Sequence, residues 1–438
     1  MRGFAASVVA VALSSSIAAT AHANGRIPEA NQLTVNDADP DFLYLRVSFG
    51  VLLSHDRGKS FEWVCESAIG YTGTFDPPIA IAEGRVLLAG TFDGLAISPN
   101  TGCTWVRTAP IDKRFVVDEA TFPGSPKDVV AITNNFVRND DAGVSLYESL
   151  LARSSDGAKT WTIVGAPIDE TLVVDTVDFA KSDTPRIYVT GRKFEPKAAA
   201  FLLASTNGGG SFVSHPIPLE ADEPGAFIGA VDPTNADRVY VRTLKIGEAG
   251  VGAIGGRLLV TSDGGKTFTE RWRGGPPLGL ALSPDGKKIW IGADSGGLFA
   301  ADTTTFTFTE LQPFAVKCLT ATSDRLYACS TEFSSGFVLG ESTDDGATFA
   351  PILKLNQIRG PLACQSGTET AKCASEWPQL AKSLNIPLAP PDAGTTATPP
   401  STTGCGCSTI GERTRGGALA FAMGSVFAAA LLRRRRQR

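Results

Sequence analysis

Three histidines in 438 residues, His22, His55 and His215, set the first limit on the chemistry open to this chain. His22 falls in an apolar leader, so an imidazole base would have to be His55 or His215. His55 lies inside a Ser-x-Asp segment and His215 directly precedes Pro216. No G-x-S-x-G elbow, H-E-x-x-H pair or phosphate-binding P-loop occurs. Carboxylates are abundant, with 45 Asp and Glu. Two of them brought together from distant loops would serve glycoside hydrolysis, one as acid and one as base or nucleophile.

The eight cysteines point to structure. A zinc site needs closely spaced thiolates, usually with histidine, and that spacing is missing, so no metal and no cofactor is expected. Cys65 and Cys103 occupy comparable places in successive repeats. Cys318 and Cys329 flank two strand-like runs, and Cys364 and Cys373 bracket a short turn. The expected bridges are Cys65–Cys103, Cys318–Cys329 and Cys364–Cys373, each contributing on the order of 2–4 kcal/mol in an oxidising compartment.

Both ends carry addresses. Arg2, an apolar run from Phe4 to Ile17 and Ala21-His22-Ala23 form a signal peptide over residues 1–23. Residues 387–404 are a Pro/Thr-rich stalk unable to bury a core. Residues 405–438 hold Cys405-Gly406-Cys407, an apolar run over 416–432 and an arginine cluster. That run spans roughly 25 Å as a helix, marginally a bilayer core, and the arginines hold the tail on the cytoplasmic side. Leader and tail contain eight of the 40 basic residues and one of the 45 acidic ones, leaving the body at net −12. Nucleic acid is therefore not an expected partner. A chain that is 43% hydrophobic with 46 Gly and 27 Pro is too apolar for disorder and too punctuated for a helical bundle.

The elements that must position any functional group are written in a repeat. The pattern Ser/Thr-x-Asp/Asn-x-Gly-x-Ser/Thr-aromatic recurs at Ser54–Phe61, Ser98–Trp105, Ser154–Trp161, Ser205–Phe212, Thr261–Phe268 and Ser342–Phe349. A worn copy lies at Ala301–Phe308, and successive copies start about 40 to 56 residues apart, the spacing of propeller blades. In each copy the Asp or Asn (Asp56, Asn100, Asp156, Asn207, Asp263, Asp344) can accept turn amides, and the glycine permits positive φ. Ala158 replaces that glycine in the third copy, where a rearranged turn is expected. Upstream runs such as DFLYLRVSF, PRIYVTGR and DRVYVRTL are β-branched or alternating. The reading is all-β: a seven-bladed propeller of four-stranded antiparallel blades over 24–356. Its chain runs from innermost to outermost strand, with no strand shared between the termini. A small disulfide-bonded cap over 357–386 follows, with a short helix near Ser375–Leu384.

The octapeptide resembles the Asp-box, or BNR repeat, of sialidases, sortilin-type receptors and photosystem assembly factors. The stalk, Cys-Gly-Cys, apolar run and arginine cluster resemble the MYXO-CTERM sorting signal of myxobacterial surface proteins. That second resemblance implies removal of the helix by a sorting protease and makes Cys405 or Cys407 a processing and lipid-attachment point; an ordinary tail anchor is the alternative. The first implies a structural role for the six box residues. A sialidase would also need three arginines, a tyrosine with a glutamate, and an aspartic acid. Arg26-Ile27-Pro28 matches the short arginine motif on the first strand, but Tyr44, Tyr188, Tyr240 and Tyr327 sit in second strands as packing residues, leaving Tyr71 and Tyr147 in loops.

In a propeller, ligands meet the loops between outer and next inner strand and between second and third strands. Those loops offer Glu66, Tyr71, Phe75-Asp76 and Phe92-Asp93 on the first two blades. Later blades offer Asp118-Glu119, Asn134-Asn135, Arg192-Lys193, Arg242, Arg273, Asp294 and Glu332. Two second-to-third loops, NNFVRNDDAGVSLYES and TLKIGEAGVGAIGGR, are long. Glu66, Tyr71, Asp76, Phe92 and Asp93 form the expected recognition surface, for a glycan or an extracellular protein. The leading expectation is an exported, surface-anchored binding module with no complete catalytic set. The alternatives are a secreted sialidase-like or other glycoside hydrolase and a structural envelope protein.

Overall fold

Seven short antiparallel sheets succeed one another along the chain in a computed structural model that describes residues 26–388, apart from 37, 74, 123, 184, 195–197 and 248–251. The leader over 1–23, the stalk beyond Leu388 and the Cys405–Cys407 tail lie outside the described residues. Blade 1 comprises β1 (Ala30–Asn36), β2 (Asp39–Val47), β3 (Gly50–Ser54) and β4 (Glu62–Val64). Blade 2 has β5 (Ile79–Ala82), β6 (Val86–Thr91) and β7 (Gly94–Ser98); blade 3 has β8 (Val116–Thr121), β9 (Val129–Asn139), β10 (Ser145–Ser154) and β11 (Thr162–Ile168). Blade 4 runs through β12 (Val173–Phe179), β13 (Ile187–Lys193), β14 (Ala199–Ser205) and β15 (Val213–Ile217). Blade 5 holds β16 (Ala226–Val231), β17 (Val239–Thr243), a short β18 (Lys245–Ile246), β19 (Ala253–Thr261) and β20 (Thr269–Gly274). Blade 6 is β21 (Pro277–Leu282), β22 (Lys288–Ala293), β23 (Gly297–Asp302) and β24 (Thr309–Gln312). Blade 7 is β25 (Cys318–Ala321), β26 (Leu326–Cys329), β27 (Leu339–Ser342) and β28 (Ala350–Leu353).

The chain is a seven-bladed β-propeller. Every sheet uses consecutive strands, so no strand is exchanged between first and last blades. The joint is closed by side chains: Thr320 Oγ1 donates to the Leu33 carbonyl at 2.8 Å, and Lys317 pairs with Glu29 at 3.2 Å. Second-strand aromatics tie neighbouring blades. Tyr44, Tyr188, Tyr240 and Tyr327 are fully buried, and Tyr188 donates to the Ala236 carbonyl of the next blade at 2.7 Å. Trp290 makes the same kind of link to the Asp345 carbonyl at 2.9 Å.

Each β3–β4-type turn is closed by its own side chains. In blade 1, Ser54 Oγ accepts Gly58 N at 2.8 Å, while Asp56 accepts Ser60 N at 2.9 Å and Ser60 Oγ at 2.6 Å. Asn100, Asp156, Asn207, Asp263 and Asp344 each accept the amide four residues on at 2.8–3.0 Å. The third turn is not rearranged. Ala158 takes φ +68°, and its amide donates to Ser154 Oγ at 3.0 Å, as the glycines do elsewhere. The worn sixth copy departs further, with Phe306 at φ +52° donating its amide to the Asp302 carbonyl at 2.8 Å.

Three local expectations are corrected. Blade 2 has no fourth strand; only the Ile97–Val106 bridge lies along β7. Both long second-to-third loops are largely strand: β9 and β10 continue as a hairpin whose turn is 140–144, carrying Tyr147 with it, and β18 pairs β19. The disulfides are Cys65–Cys373, Cys103–Cys364 and Cys318–Cys329. Cys65–Cys103 and Cys364–Cys373 do not form. Local spacing misled because the residues after β28 run back across the outside of blades 1 and 2. Trp63 N donates to the Gly360 carbonyl and Leu362 N to the Trp63 carbonyl, both at 2.8 Å, adding a parallel edge to β4. The helix α3 (Cys373–Ser383) then packs Trp377 against Trp63, their ring centroids 5.7 Å apart. This strap spans the joint that a shared strand would otherwise close. Among the described residues no helix is long and apolar enough to cross a membrane.

Candidate functional site

Antiparallel alternation sends the six box turns and the worn sixth copy to one face, and the second-to-third and blade-to-blade connections to the other. On that second face the inner strands surround a cavity of about 370 Å³ to which all seven blades contribute. Its wall has a specific backbone device. Five inner strands carry a β-bulge, at Asn31, Val117, Asp175, Gly229 and Leu278. All five bulged residues line the cavity. An extra residue in one strand re-aims its side chain, and here it turns Asn31 and Asp175 toward the axis.

Two arginines approach the same space, each two residues beyond a buried second-strand tyrosine. Arg46 donates to Asn31 Oδ1 at 2.7 Å and to the Pro77 carbonyl at 2.8 Å. Arg242 donates to the carbonyls of Pro277 and Leu278, both at 2.9 Å. Burial lowers both, Arg242 to about 10. Two carboxyls oppose them. Asp118 accepts Val177 N at 2.9 Å and is raised to about 7 by desolvation. Asp175 pairs with Arg192 at 3.1 Å through Oδ1, leaves Oδ2 buried without a partner, and is also raised to about 7 by desolvation. Groups of both polarities thus face one enclosed volume, the arrangement needed to meet a ligand rich in hydroxyls.

Of the residues expected to bind, Asp76 alone lines this cavity. It is held by Arg26 and by Asn31 Nδ2 at 2.7 Å. Glu66 opens the short helix α1 (Glu66–Ile69) instead of a loop, 3.5 Å from Arg26. Desolvation raises it to about 7 despite that arginine. Tyr71 is buried, and burial lifts its phenol well above the usual range. Phe92 is 60% exposed, its ring 4.4 Å from Phe75 and stacked on Phe115 at 4.6 Å. Asp93 is exposed beside it, its carbonyl accepting Lys113 N. Glu66, Tyr71, Asp76 and Phe92 therefore belong to one corner of the face, with Asp93 at its edge.

Other expected loop charges are placed differently. Asp118-Glu119 sit in inner strand β8, Asn134-Asn135 in β9, Arg192-Lys193 in β13, Arg242 in β17 and Arg273 in outer strand β20. Arg26 precedes the first strand and is taken up by Asp76 and Glu66. His55 stands at the box turn 5.1 Å from Phe42, and His215 on β15, both far from the cavity in the fold. Asp294 follows β22 and pairs with Lys317 at 2.9 Å, and Glu332 opens α2 (Glu332–Ser335). Sequence reading missed Asn31, Arg46 and Asp175. Aligning Tyr44-Leu45-Arg46 with Tyr240-Val241-Arg242 would have found the arginine; no sequence signal marks the bulges. Among the described residues no group of three or more His, Cys, Asp or Glu side chains is arranged to hold a metal.

No family model matches the chain, and no curated protein does. Solved structures do. An ancestral GH74 enzyme aligns with a TM-score of 0.53 at 15% identity, over 73% of this chain and 46% of its own. Kuenenia stuttgartiensis hydrazine synthase aligns with a TM-score of 0.50 at 13% identity, over 75% of this chain and 99% of its own. The chain thus spans under half the length of the GH74 enzyme. Two enzymes of unrelated chemistry share this likeness, which is one of β-propeller fold.

Proposed function

We propose that this chain is an exported, surface-anchored binding module of the Asp-box type whose ligand is taken on the cavity face of the propeller. The observation that carries the reading is the Phe75–Phe92–Phe115 cluster, open to solvent at Phe92 and joined through Asp76 to the polar cavity. An exposed aromatic beside convergent polar groups is the usual composition of a recognition site. Three disulfides support export, since such bonds persist outside the reducing cytosol. Anchoring rests on the MYXO-CTERM-like tail, and intact-mass analysis of the mature protein reads its cleavage and any lipid on Cys405 or Cys407. Ligand binding is tested on glycan and peptide arrays with the wild type and Phe92→Ala. The reading expects a ligand whose signal falls about fivefold or more in the variant, in keeping with an aromatic contact. Absence of any ligand overturns it.

A second reading, glycoside hydrolysis, is favoured by one observation: Asp118 and Asp175 both line the cavity and are both raised to about 7. Acid catalysis near neutrality needs a carboxyl so raised. Reducing-sugar release that disappears in Asp118→Asn and Asp175→Asn supports this reading; unchanged release in both removes it.

A further inference from the structure

Among the described residues four phenylalanines stand out as exposed: Phe92, Phe194 and Phe333 lie between second and third strands of blades 2, 4 and 7, and Phe136 lies on the second strand of blade 3 where it extends as a hairpin. Blade 5 places Ile254, 57% exposed, in the corresponding hairpin. Blade 1 places Phe49 there, half-buried under the cap. On the opposite face, built from the same repeats, the turn aromatics pack against the core: Phe61, Trp105 and Trp161 are at most 6% exposed, and Phe212, Phe268 and Phe349 are partly buried. Folding accounts for the buried set. It does not account for an apolar side chain placed in water at one blade position after another.

We infer that these side chains form a crown of separate stacking platforms around the cavity, and that its occupant is an extended neutral polysaccharide running over several blades. The inference rests on the binding-module reading above and names its ligand class. Three observations select that class. First, several cations on this face are matched within the protein: Arg114 with Glu148 at 2.5 Å, Arg192 with Asp175 at 3.1 Å, Lys193 with Asp169 at 3.3 Å, Lys245 with Asp222 at 2.5 Å. The net-acidic body would repel a polyanion. Second, the rings do not merge into one apolar patch. Phe136, Phe194 and Phe333 each stand on their own blade beside a charged neighbour, Arg138, Lys193 or Glu332, and Phe92 alone of the four joins other phenylalanines, Phe75 and Phe115. Protein docking sites concentrate their apolar area at one centre, whereas sugar rings offer repeated small C–H faces separated by hydroxyls. Third, Asn31, Asp175 and two arginines line the cavity inside the crown, supplying acceptors and donors for hydroxyl groups.

The test is affinity electrophoresis of the folded protein in gels cast with hydroxyethylcellulose, galactomannan or dextran, with polygalacturonate as the anionic comparison. At least one neutral polymer is expected to retard the wild type. Phe136→Ala, Phe194→Ala and Phe333→Ala are each expected to weaken retardation about two- to fivefold, and the triple variant to abolish it. Circular dichroism checks that the variants remain folded, as positions exposed by about half or more predict. Oligosaccharides of a few units are expected to compete poorly, because they cannot reach two platforms. Retardation lost in Phe92→Ala but unchanged in the other three variants overturns the crown while leaving the binding module in place. Retardation by polygalacturonate alone overturns the ligand class, and capture of an extracellular protein through the same phenylalanines, with no polymer retarded, does likewise. No retardation by any polymer overturns the inference outright.

Discussion

The two faces of the ring are made from the same repeats and have diverged in opposite directions. On the turn face, six octapeptides reproduce one set of hydrogen bonds, and even Ala158 is forced into the backbone conformation of the glycine it replaces. On the cavity face, connections range from the two-residue turn at Ser48-Phe49 to the hairpin of β9 and β10. The first face satisfies backbone groups locally. The second leaves Asp175 Oδ2 unpartnered, arginines lowered by burial and phenyl rings in water. Polar groups converging on one cavity, with phenyl rings in water around it, are where function is sought.

The contrast can be broken most strongly through the strap, which is tied to the blade 2 box turn by Cys103–Cys364 and to the cavity-face end of β4 by Cys65–Cys373. Replacing Cys65 and Cys373 together, or Cys103 and Cys364 together, by serine should lower stability by about 2–4 kcal/mol in denaturant unfolding. The cavity-face variants Phe194→Ala and Phe333→Ala should leave the same midpoint nearly unchanged. Equal losses in both sets would erase the distinction between faces.

Acid and base sharpen it next, because the box-turn aspartates and the cavity carboxyls titrate in opposite senses. Hydrogen bonds from Thr160 and Thr348 hold Asp156 and Asp344 down at about 2, below their unfolded values. Their contribution is therefore present above about pH 4 and lost as pH falls toward 2. Asp118 and Asp175 are raised to about 7, so the folded state holds their protons more tightly than the unfolded chain does. Stability linked to them should decline as pH rises from about 4 to 7 and level off above. Urea midpoints across pH 2–8 should show both limbs, with Asp156→Asn flattening the acidic one and Asp175→Asn the neutral one. A neutral limb untouched by Asp118→Asn and Asp175→Asn would contradict the buried-carboxyl geometry.

A smaller effect is expected at Ala158. Its positive φ strains a side chain that glycine lacks, so Ala158→Gly should raise stability by about 0.5–1 kcal/mol. Smallest of all is Asp93→Asn, exposed at the rim, which should shift thermal unfolding within about 0.5 kcal/mol while altering ligand binding.

Much of the fold was legible before any coordinates. Each turn is specified within eight residues, by a hydroxyl, a carboxylate or amide, a glycine and an aromatic whose contacts are local. The second strands were equally readable, because Tyr44, Tyr188, Tyr240 and Tyr327 recur at one blade position and are buried there. The candidate cavity was legible in only one of the expected residues, Asp76. Glu66, Tyr71, Asp76 and Phe92 share a face because propeller topology sends their segments there, which places them without giving them a role. The blade 3 hairpin was misread as a loop because Asn134, Asn135 and the Asn139–Asp141 run look like turn residues, yet all but the 140–144 turn is paired strand.

The amino-acid sequence by itself determined what rests on short-range bonds: the blade repeat, the turns, the order of strands and the count of seven. Only the tertiary structure decided the pairing of Cys65 with Cys373 across 308 residues, the bulges that aim Asn31 and Asp175 inward, and the meeting of Arg46 with Arg242 over one cavity. The physical reason is separation along the chain. A bond within eight residues forms under the rules of its own segment, whereas a contact between blades exists only once the ring has closed and set the distance.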